Sequence, residues 1–114
     1  MKIQELFDAQ SKWTQRAMAR DVNGHSTSPL PQDKQIPLFP WPQAACFCLD
    51  GAIRHCYPDH AQAMEVRRRI VDKLDPNDSV PVDDESLIDD VINWNDSAWR
   101  TFEEVRDLVR ELDI

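Results

Sequence analysis

Five soft-donor side chains fall close together in this sequence: Cys46, Cys48, His55, Cys56 and His60. Thiolate sulfur and imidazole nitrogen are the usual ligands of zinc, so this cluster is the first place to look for chemistry. Its spacing argues against a metal. There is no C-x-x-C pair, and on a helix Cys46 and Cys48 would point about 200° apart at 3.6 residues per turn. Only a helix beginning after Cys48 would let both face one ion. His55 directly precedes Cys56, which separates the two on a helical surface and leaves the thiol without a positioned base. Cys48 and Cys56 read better as small buried hydrophobes. With two glycines in the chain, Gly24 and Gly51, no glycine-rich phosphate loop can be built. We expect no metal, no cofactor and no enzymatic activity.

A second constellation is polar. Arg20, Asp21, Asp50, Asn95 and Asp96 could meet in space and form a small ligand-binding or catalytic site centred on Trp94-Asn95-Asp96. The competing reading is a helix-to-helix corner closed by polar side chains. Asn tolerates the left-handed conformation that ends helices, and Asp side chains bond nearby amides.

A third group is purely acidic: Asp83, Asp84, Glu85, Asp89 and Asp90. The chain has 114 residues and a net charge of −8, unevenly placed. Residues 1 to 74 hold ten Lys/Arg against eight Asp/Glu, whereas residues 75 to 114 hold three arginines against thirteen carboxylates. Such a field repels nucleic acid and attracts basic protein surfaces. The best functional expectation is a non-enzymatic protein–protein interaction domain using this acidic face. Its sharpest form is a phage or mobile-element inhibitor that offers a DNA-like row of charge to a host defence enzyme that binds nucleic acid. Arg67-Arg68-Arg69 and Lys73 are the cations that could neutralise that row within the fold.

Which elements must position these groups? The chain is long enough for one domain, and 41% hydrophobic residues suffice for a small core. No apolar run approaches the ~20 residues of a membrane span, and the polar start lacks a secretory signal. Three clustered cysteines, an odd number, suit reduced thiols, so a cytoplasmic protein is expected.

Ile3, Leu6, Phe7, Gln10, Trp13 and Ala17 predict a helix from near Lys2, which either reaches Arg20 or breaks near Ser11. Asn23-Gly24 is a turn. Residues 25 to 43 include Pro29, Pro31, Pro37, Pro40 and Pro42, so no helix survives there. Ile36 to Pro42 is apolar enough to cross the core in extended form. A helix is predicted from Ala44 to about Tyr57, with Phe47 or Cys48, Ala52 and Cys56 on its apolar face. Gly51 lies inside it. Mid-helix glycine costs about 1 kcal/mol relative to alanine, which suggests close approach of another backbone.

Pro58-Asp59 restarts the chain, and Ala61, Met64, Ile70, Val71 and Leu74 build the next helix. Asp75 to Asp78 is a turn. Leu87, Ile88, Val91 and Ile92 mark one buried helical face opposite the acids. That helix ends near Trp94-Asn95. Thr101 and Glu104 have capping-box spacing and start the last helix, which buries Val105, Leu108, Val109 and Leu112.

Three motifs occur in order: Trp13-Thr14-Gln15 with Ala19-Arg20-Asp21, then Phe47-Cys48-x-x-Gly51-Ala52-Ile53, then Trp94-Asn95-Asp96 with Thr101 and Glu104-Val105. Together they resemble a family of small bacterial and phage proteins catalogued as a domain of unknown function. The resemblance spans residues 3 to 112. It implies a single mainly α domain, not an activity. The expected architecture is one domain over residues 1 to 114, of four to five short helices with an extended proline-rich segment.

Overall fold

The computed structural model describes residues 1–26, 44–75 and 83–114. Five helices and one short antiparallel strand pair make up these residues: α1 (Ile3–Leu6), β1 (Ala19–Arg20), β2 (Cys46–Phe47), α2 (Leu49–Cys56), α3 (His60–Leu74), α4 (Asp84–Asp96) and α5 (Phe102–Leu112). The fold is mainly α, as the apolar spacing predicts. The expected crossing of Ile36 to Pro42 lies outside the described residues, as do the prolines of that segment and most of the turn after Asp75.

The first helix stops at Leu6, and Gln10–Lys12 form only a 3₁₀ turn. The reason lies in where the next amides go. The Thr14 N–H donates to the Phe47 carbonyl, and Arg16 takes a left-handed φ of 65° that no helix permits. The helix predicted from Ala44 begins instead at Leu49. The Ala45 amide donates to the Arg20 carbonyl and the Cys48 amide to that of Met18, so this stretch is committed to β1. Its register pairs Ala19 with Phe47 and Arg20 with Cys46. Phe47 therefore reaches the core from a strand and not from a helical face.

Helix starts follow their caps. The Cys48 sulfur accepts the Gly51 amide, Asp59 accepts that of Gln62, and Asp83 accepts that of Ser86. The capping box at Thr101 forms in both directions: Glu104 N donates to Thr101 Oγ1 at 3.2 Å and Thr101 N to Glu104 Oε1 at 3.1 Å. At the other end of α5, a left-handed Asp113 turns the chain so that Ile114 N–H closes on the Val109 carbonyl.

The helices pack around one core, with α3 along α4 and with α1 against both α2 and α5. Ile3, Phe7, Leu49, Ile53, Ile70, Leu87, Val91, Val105 and Val109 are wholly buried, and Phe7 meets Phe102 edge to face at 6.5 Å. Gly51 sits where the strand pair crosses α2. A Cβ built there would lie 2.0 Å from the Met18 carbonyl oxygen, so the close approach expected from the sequence is present.

Candidate functional site

The Trp94-Asn95-Asp96 corner is built by continuing the core stripe of α4. Leu87, Val91 and Asn95 follow at intervals of four and are buried, so the stripe ends in an amide. Asn95 is 0% exposed. Its Oδ1 accepts from Trp13 Nε1 at 2.7 Å and from the Leu49 amide at 3.0 Å. Its Nδ2 donates to the Thr14 carbonyl at 3.2 Å and to Asp96 Oδ1 at 2.9 Å. An asparagine side chain has two acceptor and two donor positions, and all are filled within the fold. The orientation is fixed by the neighbours, since both groups facing Oδ1 are N–H donors. One side chain thus joins the first segment, the start of α2 and the end of α4.

The surrounding polar groups extend the same job. Gln15 Nε2 donates to the carbonyls of Asn95 and Ser97, which end α4 without partners of their own kind. Asp96 Oδ1 also accepts the Arg16 amide at 2.9 Å and holds that residue in its left-handed conformation. Arg20 lies across the Thr14 hydroxyl and the carbonyls of Gln15 and Gly24. Arg100 bonds the Trp94 carbonyl and Glu104, and its guanidinium lies 3.9 Å from the centre of the Trp94 ring.

Of the polar residues singled out from the sequence, Asn95 and Asp96 meet directly, and Arg20 joins them through Thr14 and Gln15. Asp21 does not join them. Its carboxylate accepts the amides of Asn23 and His25 and closes the Asn23-Gly24 turn. Asp50 lies in a separate cluster. It is wholly buried, with Arg67 Nε at 2.7 Å and Arg54 Nε at 3.0 Å. The Asp50–Arg54 pair is visible in the sequence as an i, i+4 spacing. The buried Arg67, inside a run of three arginines, carries no such local signal.

The acidic residues 83 to 90 divide by use. Asp83 caps α4, and the Ser86 side chain and amide that bond it hold its carboxyl below the usual carboxylate range. Asp84 pairs with His60 at 3.0 Å. Glu85, Asp89 and Asp90 are exposed, and no ion pair to them occurs among the described residues. The cations that could have neutralised them go elsewhere. Arg67 is buried on Asp50, Arg68 meets Glu65, Arg69 bonds the Leu112 carbonyl, and Lys73 pairs with Glu111. On α5, by contrast, Glu104, Asp107 and Glu111 each have a basic partner, as does Asp113 just beyond it.

The cysteines need a different argument from the helical one. Because α2 begins at Leu49, Cys46 and Cys48 lie in extended chain and not on opposite helical faces. The geometric exclusion of a shared ion therefore fails. No group of three or more His, Cys, Asp or Glu side chains suited to a metal ion forms among the described residues. Burial pushes the Cys48 thiol up to about 12 and the Cys56 thiol up to about 11, away from the thiolate that nucleophiles and metal ligands require. The His55 ring lies against Phe47, with centres 4.8 Å apart, and burial lowers its pKa.

Sequence reasoning passed over Trp13, Gln15, Arg16 and Arg100 as contributors to this corner, and over Trp99 altogether. Trp99 is 88% exposed on the connection from α4 to α5. Among the described residues no helix is long and apolar enough to cross a membrane. No curated protein and no solved structure matches the chain. A family model does match over residues 2–112, and the chain belongs to the family it describes, the Family of unknown function DUF6197.

Proposed function

We propose that this chain is a non-enzymatic interaction domain that offers the exposed carboxylates of α4 to a basic surface of another protein. The observation that carries the reading is the routing of the cations. Arg67, Arg68, Arg69 and Lys73 are spent on Asp50, Glu65, the end of α5 and Glu111, which leaves Glu85, Asp89 and Asp90 exposed without counter-charges among the described residues. Exposed ion pairs add only about 0.2–1 kcal/mol each, so the use of such a face is orientation and capture rather than tight holding.

The polar corner supports this reading by default. Asn95 has no donor or acceptor left for a ligand, because each is bonded inside the fold. In its narrower form the proposal makes the partner a nucleic-acid-binding enzyme that the chain restrains, as a phage-encoded inhibitor would. Pairing of the α5 acids with Arg100, Arg106 and Lys73 shortens the row of open charge to α4, which suits a local basic patch better than a duplex-length groove.

The test is charge reversal at Glu85→Lys, Asp89→Lys and Asp90→Lys together. Proteins that co-purify with the chain from its host would be identified, and each expressed partner measured by binding kinetics at two ionic strengths. The variant is expected to melt within a few degrees of the parent, because exposed changes usually cost within ~0.5 kcal/mol each. Association should slow and its salt dependence flatten. Wild-type association by a normally folded triple variant would sink the proposal.

A further inference from the structure

We propose that Trp99 is the apolar anchor of an interaction surface, seated by a basic segment of a partner protein that presents arginine or lysine beside an apolar side chain. The proposal rests on the acidic-interaction reading and adds to it the residue that would supply affinity where the carboxylates supply steering.

Trp99 and Val22 are the two most exposed large hydrophobic side chains among the described residues, at 88% and 86%. Single exposed apolar residues are common and need no explanation. Two features set this one apart. The first is its mounting. The Ser97 carbonyl before Trp99 accepts both Gln15 Nε2 and the Arg100 amide, and the Arg100 guanidinium after it is fixed on the Trp94 carbonyl, the Trp94 ring and Glu104. The chain is held on both sides of an indole that itself touches little. A partner that covers such a ring does not have to order the loop first, which removes one of the main costs of binding.

The second feature is the neighbouring turn. Val22 sits in the turn that Asp21 closes, and Arg20 bonds both that turn, at the Gly24 carbonyl, and the Gln15 carbonyl. Gln15 in turn bonds Ser97. The two exposed apolar side chains therefore stand on turns that one hydrogen-bonded chain connects.

Charge decides what covers them. Trp99 comes directly after α4, with its open carboxylates, and the whole chain carries −8. A second copy of the chain would bring the same charge and be repelled. An arginine or lysine from a basic partner gains from the carboxylates and from the indole face, the strongest aromatic partner for a cation. Tryptophan is also among the residues most enriched where interfaces concentrate their binding energy.

The experiment titrates the intact chain with a short peptide alternating arginine and leucine, and with a peptide of equal length alternating glutamate and leucine. Binding is followed by the indole N–H resonances, at salt concentrations below and above physiological. The Trp99 resonance is assigned by its loss in Trp99→Phe. The arginine peptide should move the Trp99 resonance most. Trp99→Ala should bind it about tenfold or more weakly with the salt dependence kept, and Trp99→Phe should recover part of the loss.

The charge-reversed α4 variant should lose salt dependence while its Trp99 resonance still moves. Wild-type affinity in Trp99→Ala, alongside weakened binding by the α4 variant, overturns the anchor and leaves the acidic reading standing. Equal or tighter binding of the glutamate peptide, which the exposed Arg16 beside Asp96 would favour, overturns the basic partner. So does absence of arginine-peptide binding by the parent chain.

Discussion

Replacing Asn95 by alanine tests whether one side chain holds three segments together. The change strands the Leu49 amide, the Trp13 indole N–H and the Thr14 carbonyl. Leu49 is wholly buried, so its amide loses about 1–3 kcal/mol when left unsatisfied. Trp13 and Thr14 are half-buried, so water can partly replace what they lose, at roughly 1 kcal/mol each. The total is about 3–5 kcal/mol, a large share of the ~5–15 kcal/mol typical of a domain. In a chain of this size it corresponds to a drop of roughly 10–20 °C in melting temperature.

Asn95→Asp sharpens the test. The carboxylate keeps an oxygen for Trp13 and Leu49, but its second oxygen then faces the Thr14 carbonyl and Asp96 Oδ1, both acceptors. Burial and the like charge of Asp96 are predicted to raise the new group's pKa in the folded state above its unfolded value. The folded form then holds the proton more strongly. Stability lost at neutral pH should return as pH falls through that raised pKa, where the carboxyl becomes a donor. Urea unfolding of parent, alanine and aspartate variants between mildly acid and neutral pH measures this. An alanine variant within about 1 kcal/mol of the parent, where breaking a well-made buried network should cost more, would refute the reasoning. So would an aspartate variant whose deficit grows on acidification.

Gly51→Ala should lower stability by about 1–3 kcal/mol despite alanine's better helix propensity, because the new Cβ meets a backbone carbonyl that cannot swing aside; denaturant midpoints report it. Asp50→Ala should cost about 3–5 kcal/mol by leaving Arg67 charged and buried, and the double change Asp50→Leu with Arg67→Met should recover most of the loss; a double change no better than the single one would show that the pair matters through geometry and not charge.

Much of the fold was legible because helices advertise themselves by period and cap. The Thr101–Glu104 box, the Leu87–Val91 stripe and the demand made by Gly51 all appear in the structure as read. The errors cluster where long-range pairing overrides local pattern. Ile3 to Ala17 has helical spacing, yet the Thr14 amide belongs to Phe47, more than thirty residues on, and nothing in the local sequence announces that bond. Cys46 and Phe47 were assigned to α2 for the same reason. At the polar corner the sequence marked Asn95 and Asp96 but not their partners. An asparagine four residues after Val91 was the available clue, since it prolongs a core stripe with a group that must be bonded to be buried.

The Asn95 junction also bears on the order in which the chain can fold. Its bonds to Trp13 and to Leu49 span separations of 82 and 46 residues. The loops between must close before these bonds return anything, and closure entropy grows with loop length. Contacts within α3 and α4, and between these neighbours, face no such delay. Assembly of the junction therefore belongs after the helices have paired, on the slow side of the transition state. What locks late by this route acts on the rate of escape from the native state more than on the rate of reaching it. The amide at position 95 is then a latch: it sets how long the molecule stays folded rather than how fast it gets there.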